Sequence, residues 1–273
     1  MTAAHHEEQA GAKDADPRRG LELAFPIPED IVLTAMHSAQ VPGLAIGIFR
    51  EGIHACAGFG VTSVENPLPV HADTLFQIGS ISKTFTATAA MCLVERGKLE
   101  LDAPIRTYLP DFRLADENAA ATVTLRHLLT HSGGWEDRMR DTGESDDAVA
   151  GLVASLLDVP QMFAPGTNWS YSNTGLTVAG RVIEAVTGKV YDDALHELVL
   201  EPLGLDRTFL RPMDVMTYRF ATGHRPSPSG AQVVRRWIVP RQARPAGGVI
   251  TSARQLLRSV SYTHLTLPTI LRV

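Results

Sequence analysis

Apolar residues recur along this chain with two different periods, and the switches between them outline its elements. Over 28–39 they fall three and four apart, the spacing of a helix that buries one face. Over 44–50 the apolar positions alternate, Glu51-Gly52 supplies a turn, and 53–61 returns as a second strand, which predicts an antiparallel hairpin. The helical period comes back over 80–96 and stops at Gly97, a residue that ends helices because it enters the left-handed region without steric cost. From 102 to about 200 the pattern is mostly helical, with segments at 125–130, 146–157, 176–186 (ended by Gly188) and 191–199. A turn is marked between them by Pro165-Gly166. A hairpin, a helical middle and a later return predict an α+β fold in which an antiparallel sheet lies beside a helical region.

Composition narrows the class. A hydrophobic fraction of 44% over 273 residues is enough for a sizeable core. The net charge of -5, with Arg138, Arg140, Arg235 and Arg236 scattered as solvated faces, argues against a nucleic-acid surface. No apolar run reaches the roughly 18 residues of a membrane-spanning helix. Residues 1–20 are polar and charged, without the apolar core of a signal peptide; they read as a disordered leader, and a cytoplasmic location is expected. Cys56 falls in a predicted strand and Cys92 in a predicted helix, where both suit buried small residues better than a disulfide. His5-His6-Glu7-Glu8 lacks H-E-x-x-H spacing, and His54, His71, His127, His196 and His224 stand apart, so neither metal nor cofactor is expected. The chain has no G-x-S-x-G elbow and no phosphate-binding loop.

The candidate chemistry begins at Ser80-Ile81-Ser82-Lys83, an S-x-x-K arrangement at the head of the predicted 80–96 helix. Of the four lysines, Lys13, Lys83, Lys98 and Lys189, only Lys83 has a serine three residues before it. A serine needs a partner base to become a nucleophile, and i, i+3 spacing puts Lys83 on the same helix face as Ser80. An amine packed among apolar side chains can stay neutral and take the serine proton. The first turn of a helix also offers free N–H groups where an oxyanion would form. A helix-capping serine beside a snorkelling lysine is the competing, purely structural account.

The second candidate is Tyr171-Ser172-Asn173, a Y-x-N just before the 176–186 helix. Two residues apart in extended backbone, Tyr171 and Asn173 can point into one cleft. Tyr171 could share the base role with Lys83, and Asn173 could bind the substrate; the structural alternatives are a core aromatic and a helix cap.

S-x-x-K followed by Y-x-N resembles two of the three active-site motifs of the penicillin-recognising serine hydrolases: class C β-lactamases, D-alanyl-D-alanine carboxypeptidases and related esterases. Further segments resemble that family in order and spacing. They are Val41-Pro42-Gly43-Leu44, Gly97-Lys98-Leu99, Leu128-Leu129-Thr130-His131-Ser132-Gly133-Gly134, Glu201-Pro202-Leu203-Gly204-Leu205 and Pro245-Ala246-Gly247-Gly248-Val249. The resemblance implies a β-lactamase/transpeptidase-like fold and a serine hydrolase working through an acyl-enzyme on a small ester or amide. It implies Ser80, Lys83 and Tyr171 as catalytic and Asn173 as substrate-binding; these motifs serve β-lactam, D-alanyl and ester substrates alike, and the lack of a signal-peptide core tips the expectation towards esters. A non-catalytic ligand-binding member of the same fold is the alternative. His131-Ser132-Gly133 spells H-x-G, but it precedes Tyr171 and ends a helix, so His131 is read as structural, bonding backbone near the helix end.

The family's third motif, K-T-G or H-x-G after Y-x-N, does not follow Tyr171. Residues 260–273 resemble a translated sequencing adapter and are expected to be an artefact. That leaves 21–259 as an incomplete domain lacking its last sheet strands, with a helical region at about 102–200, and predicts little activity for this exact chain. Oligomeric state is not legible.

Overall fold

The computed structural model describes residues 27–50 and 53–265, so the expected leader lies outside the described residues. In chain order the elements are α1 (Glu29–Ser38), β1 (Gly43–Arg50), β2 (Ile53–Gly60), β3 (Phe76–Gln77), α2 (Ser82–Glu95), α3 (Glu117–Thr122), α4 (Leu125–Leu129), α5 (Ala148–Ala154), α6 (Asn173–Thr187), α7 (Tyr191–Leu195), β4 (His224–Arg225), β5 (Gln232–Val233), α8 (Arg244–Gly247), β6 (Ile250–Thr251) and α9 (Ala253–Leu265). The strands form three two-stranded antiparallel pairs, β1 with β2, β3 with β6 and β4 with β5. Helix α9 runs across the start of the adapter-like segment, and 266–273 lie outside the described residues.

The chain divides into two compact units. The first takes its described residues from the stretch ending at Thr74, from Arg219–Arg235 and from Ser252–Leu257. In it the predicted hairpin forms with Gly43 opposite Gly60 and Ile48 opposite Ala55. Strand alternation puts Ala55, Ala57 and Phe59 on one face, where Val32 and Met36 of α1 cover them. Cys56, one residue out of phase, is half-buried, and its burial raises the thiol pKa.

The second unit holds Leu75–Tyr218 and Arg236–Thr251, with Arg258 onward. Its centre is α2 and α6, which pack on each other and on α8. Both are buried nearly all round: Phe85, Ala89 and Leu93 on α2, and Leu176, Val178, Ala179, Val182 and Ile183 on α6. Burial of a side chain such as Phe85 contributes about 2–3 kcal/mol. Gly97 and Gly188 follow these helices with φ of +64° and +69°, as expected of helix stops.

The helical middle is less continuous than its apolar pattern predicts. Helix α5 covers 148–154 and passes into a tighter turn at Ser155–Asp158, while α7 passes into a π turn at His196–Leu200. The stretches 130–147 and 159–172 are not helical. They brace each other instead. Met162 N–H donates to Gly134 O at 2.7 Å and Gly166 N–H to Ser132 O at 2.9 Å. Gln161 Nε2 donates to Gly133 O at 2.9 Å and to Phe163 O at 2.7 Å. Glycine, proline and polar residues leave these stretches without a helical apolar face, so tertiary bonds define their path. Among the described residues no helix is long and apolar enough to cross a membrane.

Candidate active site

Ser80 does not occupy the first turn of the long helix as expected. It lies in a 3-10 turn at Gly79–Ile81, and α2 begins at Ser82. Gly79 takes φ +52°, which lets the strand-like approach through Phe76–Gln77 enter this turn abruptly. The i, i+3 relation survives the change: Lys83 Nζ donates to Ser80 Oγ at 3.1 Å.

Lys83 is 9% exposed, and its ammonium finds three acceptors, one for each hydrogen. Besides Ser80 Oγ they are Asn173 Oδ1 at 2.8 Å and the Ala246 carbonyl at 2.8 Å. Two of the three are held firmly by buried bonds. Thr86, one turn beyond Lys83, donates from Oγ1 to Pro245 O at 2.6 Å and pairs with Tyr191 Oη at 2.7 Å. Ser82 Oγ accepts from Val249 N–H at 2.9 Å, which fixes the other end of the Pro245–Val249 segment to α2. On the α6 side, the Ser172 side chain caps the helix by accepting from Gly175 N–H, so Asn173 is its first residue.

Tyr171 Oη lies 2.5 Å from Ser80 Oγ, and Lys83 Nζ lies 4.7 Å from the centre of its ring. Burial pushes the Tyr171 phenol up, but hydrogen bonds with Lys83 and Ser80 and the Lys83 charge outweigh it, and the net is a lowered pKa. Ser80 Oγ, Tyr171 Oη and Lys83 Nζ therefore share one hydrogen-bonded cluster. The structure brings Ser80, Lys83, Tyr171 and Asn173 together.

His131 bonds backbone both at its own helix end, where its N–H donates to Leu128 O at 3.4 Å, and further along the chain. Its carbonyl accepts from Ser170 N–H at 2.9 Å and its Nδ1 from Ser172 N–H at 3.1 Å, so it clips the extended strip that carries Tyr171. The ring stacks on Tyr171 at 4.6 Å and meets Trp169 edge-on at 6.1 Å. To do this His131 adopts φ +59°, uncommon for a non-glycine residue. Burial first, and the Lys83 charge second, hold its imidazole below its usual pKa.

Two partners carry no signal of their own in the sequence. The Ala246 acceptor is a backbone oxygen, which no side-chain motif can announce, although the surrounding Pro245-Ala246-Gly247-Gly248-Val249 stretch was recognisable. Asp137 lies 36 positions from Asn173 in an irregular stretch, yet accepts from Asn173 Nδ2 at 2.8 Å.

A family model described as Beta-lactamase matches residues 29–271. The chain belongs to the beta-lactamase family. This is a family of serine hydrolases that includes β-lactamases, penicillin-binding proteins and esterases. The chain is 38% identical over 226 residues to Penicillin-binding protein 4 of Amycolatopsis lactamdurans, covering 80% of this chain and 58% of that protein. It is 38% identical over 162 residues to Esterase EstB of Burkholderia gladioli, covering 54% of this chain and 41% of the esterase. A class C beta lactamase from Rhodobacter sphaeroides superposes with a TM-score of 0.69 at 33% identity, covering 84% of this chain and 63% of that one. The β-lactamase/transpeptidase-like fold expected from the motifs is thus the observed one. The chain spans a little over half the length of the curated relatives it matches along most of its own length.

Proposed function

We propose that Ser80, Lys83, Tyr171 and Asn173 form the acylation site of a serine hydrolase acting on small esters and amides, with esters favoured. The observation that carries this reading is the convergence on Ser80 Oγ of a tyrosine oxygen at 2.5 Å and a lysine nitrogen at 3.1 Å. A serine used only as a cap would have no need of either group.

Tyr171 as phenolate, stabilised by the Lys83 ammonium, takes the Ser80 proton as Oγ attacks the substrate carbonyl carbon. The carbonyl π pair moves to oxygen, and the Ser80 N–H is one donor to the resulting oxyanion. Collapse expels the leaving group, which takes the proton back from Tyr171, and the acyl group stays on Ser80. Water then attacks the acyl-enzyme with Tyr171 as base, releasing the acid and restoring the Ser80 hydroxyl. Lys83 keeps its three hydrogens throughout and acts by charge. Asn173 holds Lys83 through Oδ1. Of its two Nδ2 hydrogens one goes to Asp137, and the other is assigned to the substrate.

Esters are favoured because an alkoxide leaves with less proton assistance than an amine, and the proton donor available at Ser80 is a phenol. The similarity to Esterase EstB supports the same choice. The test is a comparison of kcat/KM for p-nitrophenyl butyrate, nitrocefin and a peptide ending in D-alanyl-D-alanine. Turnover by this chain is expected to be low, with the ester the fastest of the three. A preference for nitrocefin or the peptide overturns the ester assignment. Saturable binding of all three without an acyl-enzyme favours a ligand-binding role instead.

A further inference from the structure

We propose that Asp137 is a positioning residue for acyl transfer: its carboxylate fixes the Asn173 side-chain amide so that the carbonyl end, not the amino end, faces Lys83. The inference rests on the acylation reading given above.

An asparagine amide is nearly symmetric in shape but opposite in chemistry at its two ends. Rotated by half a turn about its last bond, Asn173 would present N–H groups to the Lys83 ammonium, and two donors would face each other in a half-buried place. Nothing in Asn173 itself prevents this. The choice is made at the far end, where Asp137 Oδ2 stands 2.8 Å from Asn173 Nδ2. A carboxylate can only accept, so it selects the amino end and leaves Oδ1 for Lys83 at 2.8 Å.

The carboxylate is itself well held. Its Oδ1 accepts from Thr174 N–H at 2.8 Å, with Ser172 Oγ at 3.5 Å, so it sits on the first turn of α6, where unpaired N–H groups favour a negative charge. Two residues earlier, Trp135 Nε1 donates to Thr174 Oγ1 at 2.9 Å in a buried bond, pinning the 135–137 strip to that same turn. Asp137 thus needs two acceptors, one for the Thr174 backbone and one for the Asn173 amide. Aspartate supplies both; asparagine, its isostere, supplies only one.

This separates positioning from capping. Asp137→Asn keeps an acceptor for Thr174 N–H, and asparagine is as good a helix-start residue as aspartate, so the variant should fold. Its second end becomes a donor, and Asn173 must then turn its carbonyl towards residue 137 and its amino group towards Lys83.

The experiment measures the rate of Ser80 acylation by a fluorophosphonate in the 273-residue chain, with folding followed by thermal melting. Asp137→Asn should slow acylation by about 10- to 100-fold, the usual cost of a lost bond to a charged group. In an Asn173→Ala background the same substitution should change the rate by less than about threefold, because the residue it acts through is gone. An equal loss in both backgrounds, or no loss in the wild-type background, overturns the proposal. A second readout needs no activity: hydrogen exchange of the Asn173 side-chain amide, assigned by its disappearance in Asn173→Ala. Protection in the wild type and its loss in Asp137→Asn is the expected result; equal protection in both overturns the proposal. If the wild type is not acylated at Ser80, the acylation reading falls, and the exchange measurement still decides the orientation.

Discussion

Lys83 Nζ and Asn173 Oδ1, 90 residues apart in sequence, stand 2.8 Å from each other. That contact ties the first turn of α2 to the first residue of α6, and Ala246 O completes the set from α8. Each carbonyl loses its donor if the lysine is removed. Lys83→Met is expected to lower Ser80 acylation by about 10²- to 10⁴-fold and to destabilise the fold by about 1–3 kcal/mol, read from labelling rate and denaturant midpoint. Lys83→Arg should not rescue the rate, because a planar guanidinium cannot aim at acceptors arranged around a tetrahedral nitrogen.

Tyr171→Phe separates chemistry from folding. The ring is 41% exposed, and its stack on His131 does not need the hydroxyl. Thermal stability should stay close to wild type, while acylation falls by about 10²- to 10⁴-fold. A rate within a few fold of wild type would show that the phenol oxygen is not the base.

His131 makes the site sensitive to acid. Its Nδ1 can accept the Ser172 N–H only when unprotonated. Its pKa is lowered in the fold, so between the unfolded value near 6.5 and the lower folded value the unfolded chain binds more protons. The stabilisation is therefore fully present above the unfolded pKa and is lost as pH falls through the folded one. Acylation and melting temperature should both drop on that acidic side. His131→Asn, which tolerates a positive φ and offers a neutral acceptor, should lose this acid step while keeping activity at pH 8 within about tenfold.

Arg244 carries a different kind of load. Its side chain is only 6% exposed and pairs with Asp192 and Glu144 at the base of α8. Burial raises the Asp192 pKa, and the Arg244 charge opposes that rise. Arg244→Ala leaves Asp192 unpaired and should cost about 3–5 kcal/mol in denaturant unfolding. A carboxyl whose folded pKa is raised favours the fold when protonated, so the deficit should be smaller at pH 5 than at pH 8.

What the sequence made legible was local. The hairpin at 43–60 follows from alternation, and α1, α2 and α6 follow from apolar periodicity with glycine stops at Gly97 and Gly188. Ser80 and Lys83 meet because a three-residue spacing survives the change from α-helix to 3-10 turn. Tyr171 and Asn173 could be placed beside them only through family resemblance, since 88 positions separate Lys83 from Tyr171. The missed parts depend on long-range bonds between segments with no period: His131 clipping Ser172, Asp137 turning Asn173, and a backbone carbonyl at Ala246. The partners of Asn173 within the protein were illegible for the same reason. Both ends of its amide are engaged within the protein, a fact that only its neighbours determine.

The central claim is that Ser80 is a nucleophile activated by Tyr171 and Lys83. The most direct measurement is mass-spectrometric mapping of the residue labelled when the 273-residue chain meets a fluorophosphonate, alongside Ser80→Ala and Tyr171→Phe. One label on Ser80, absent in Ser80→Ala and slowed about 10²- to 10⁴-fold in Tyr171→Phe, is the predicted result. A folded wild-type chain that stays unlabelled, or carries its label on another residue, would contradict it.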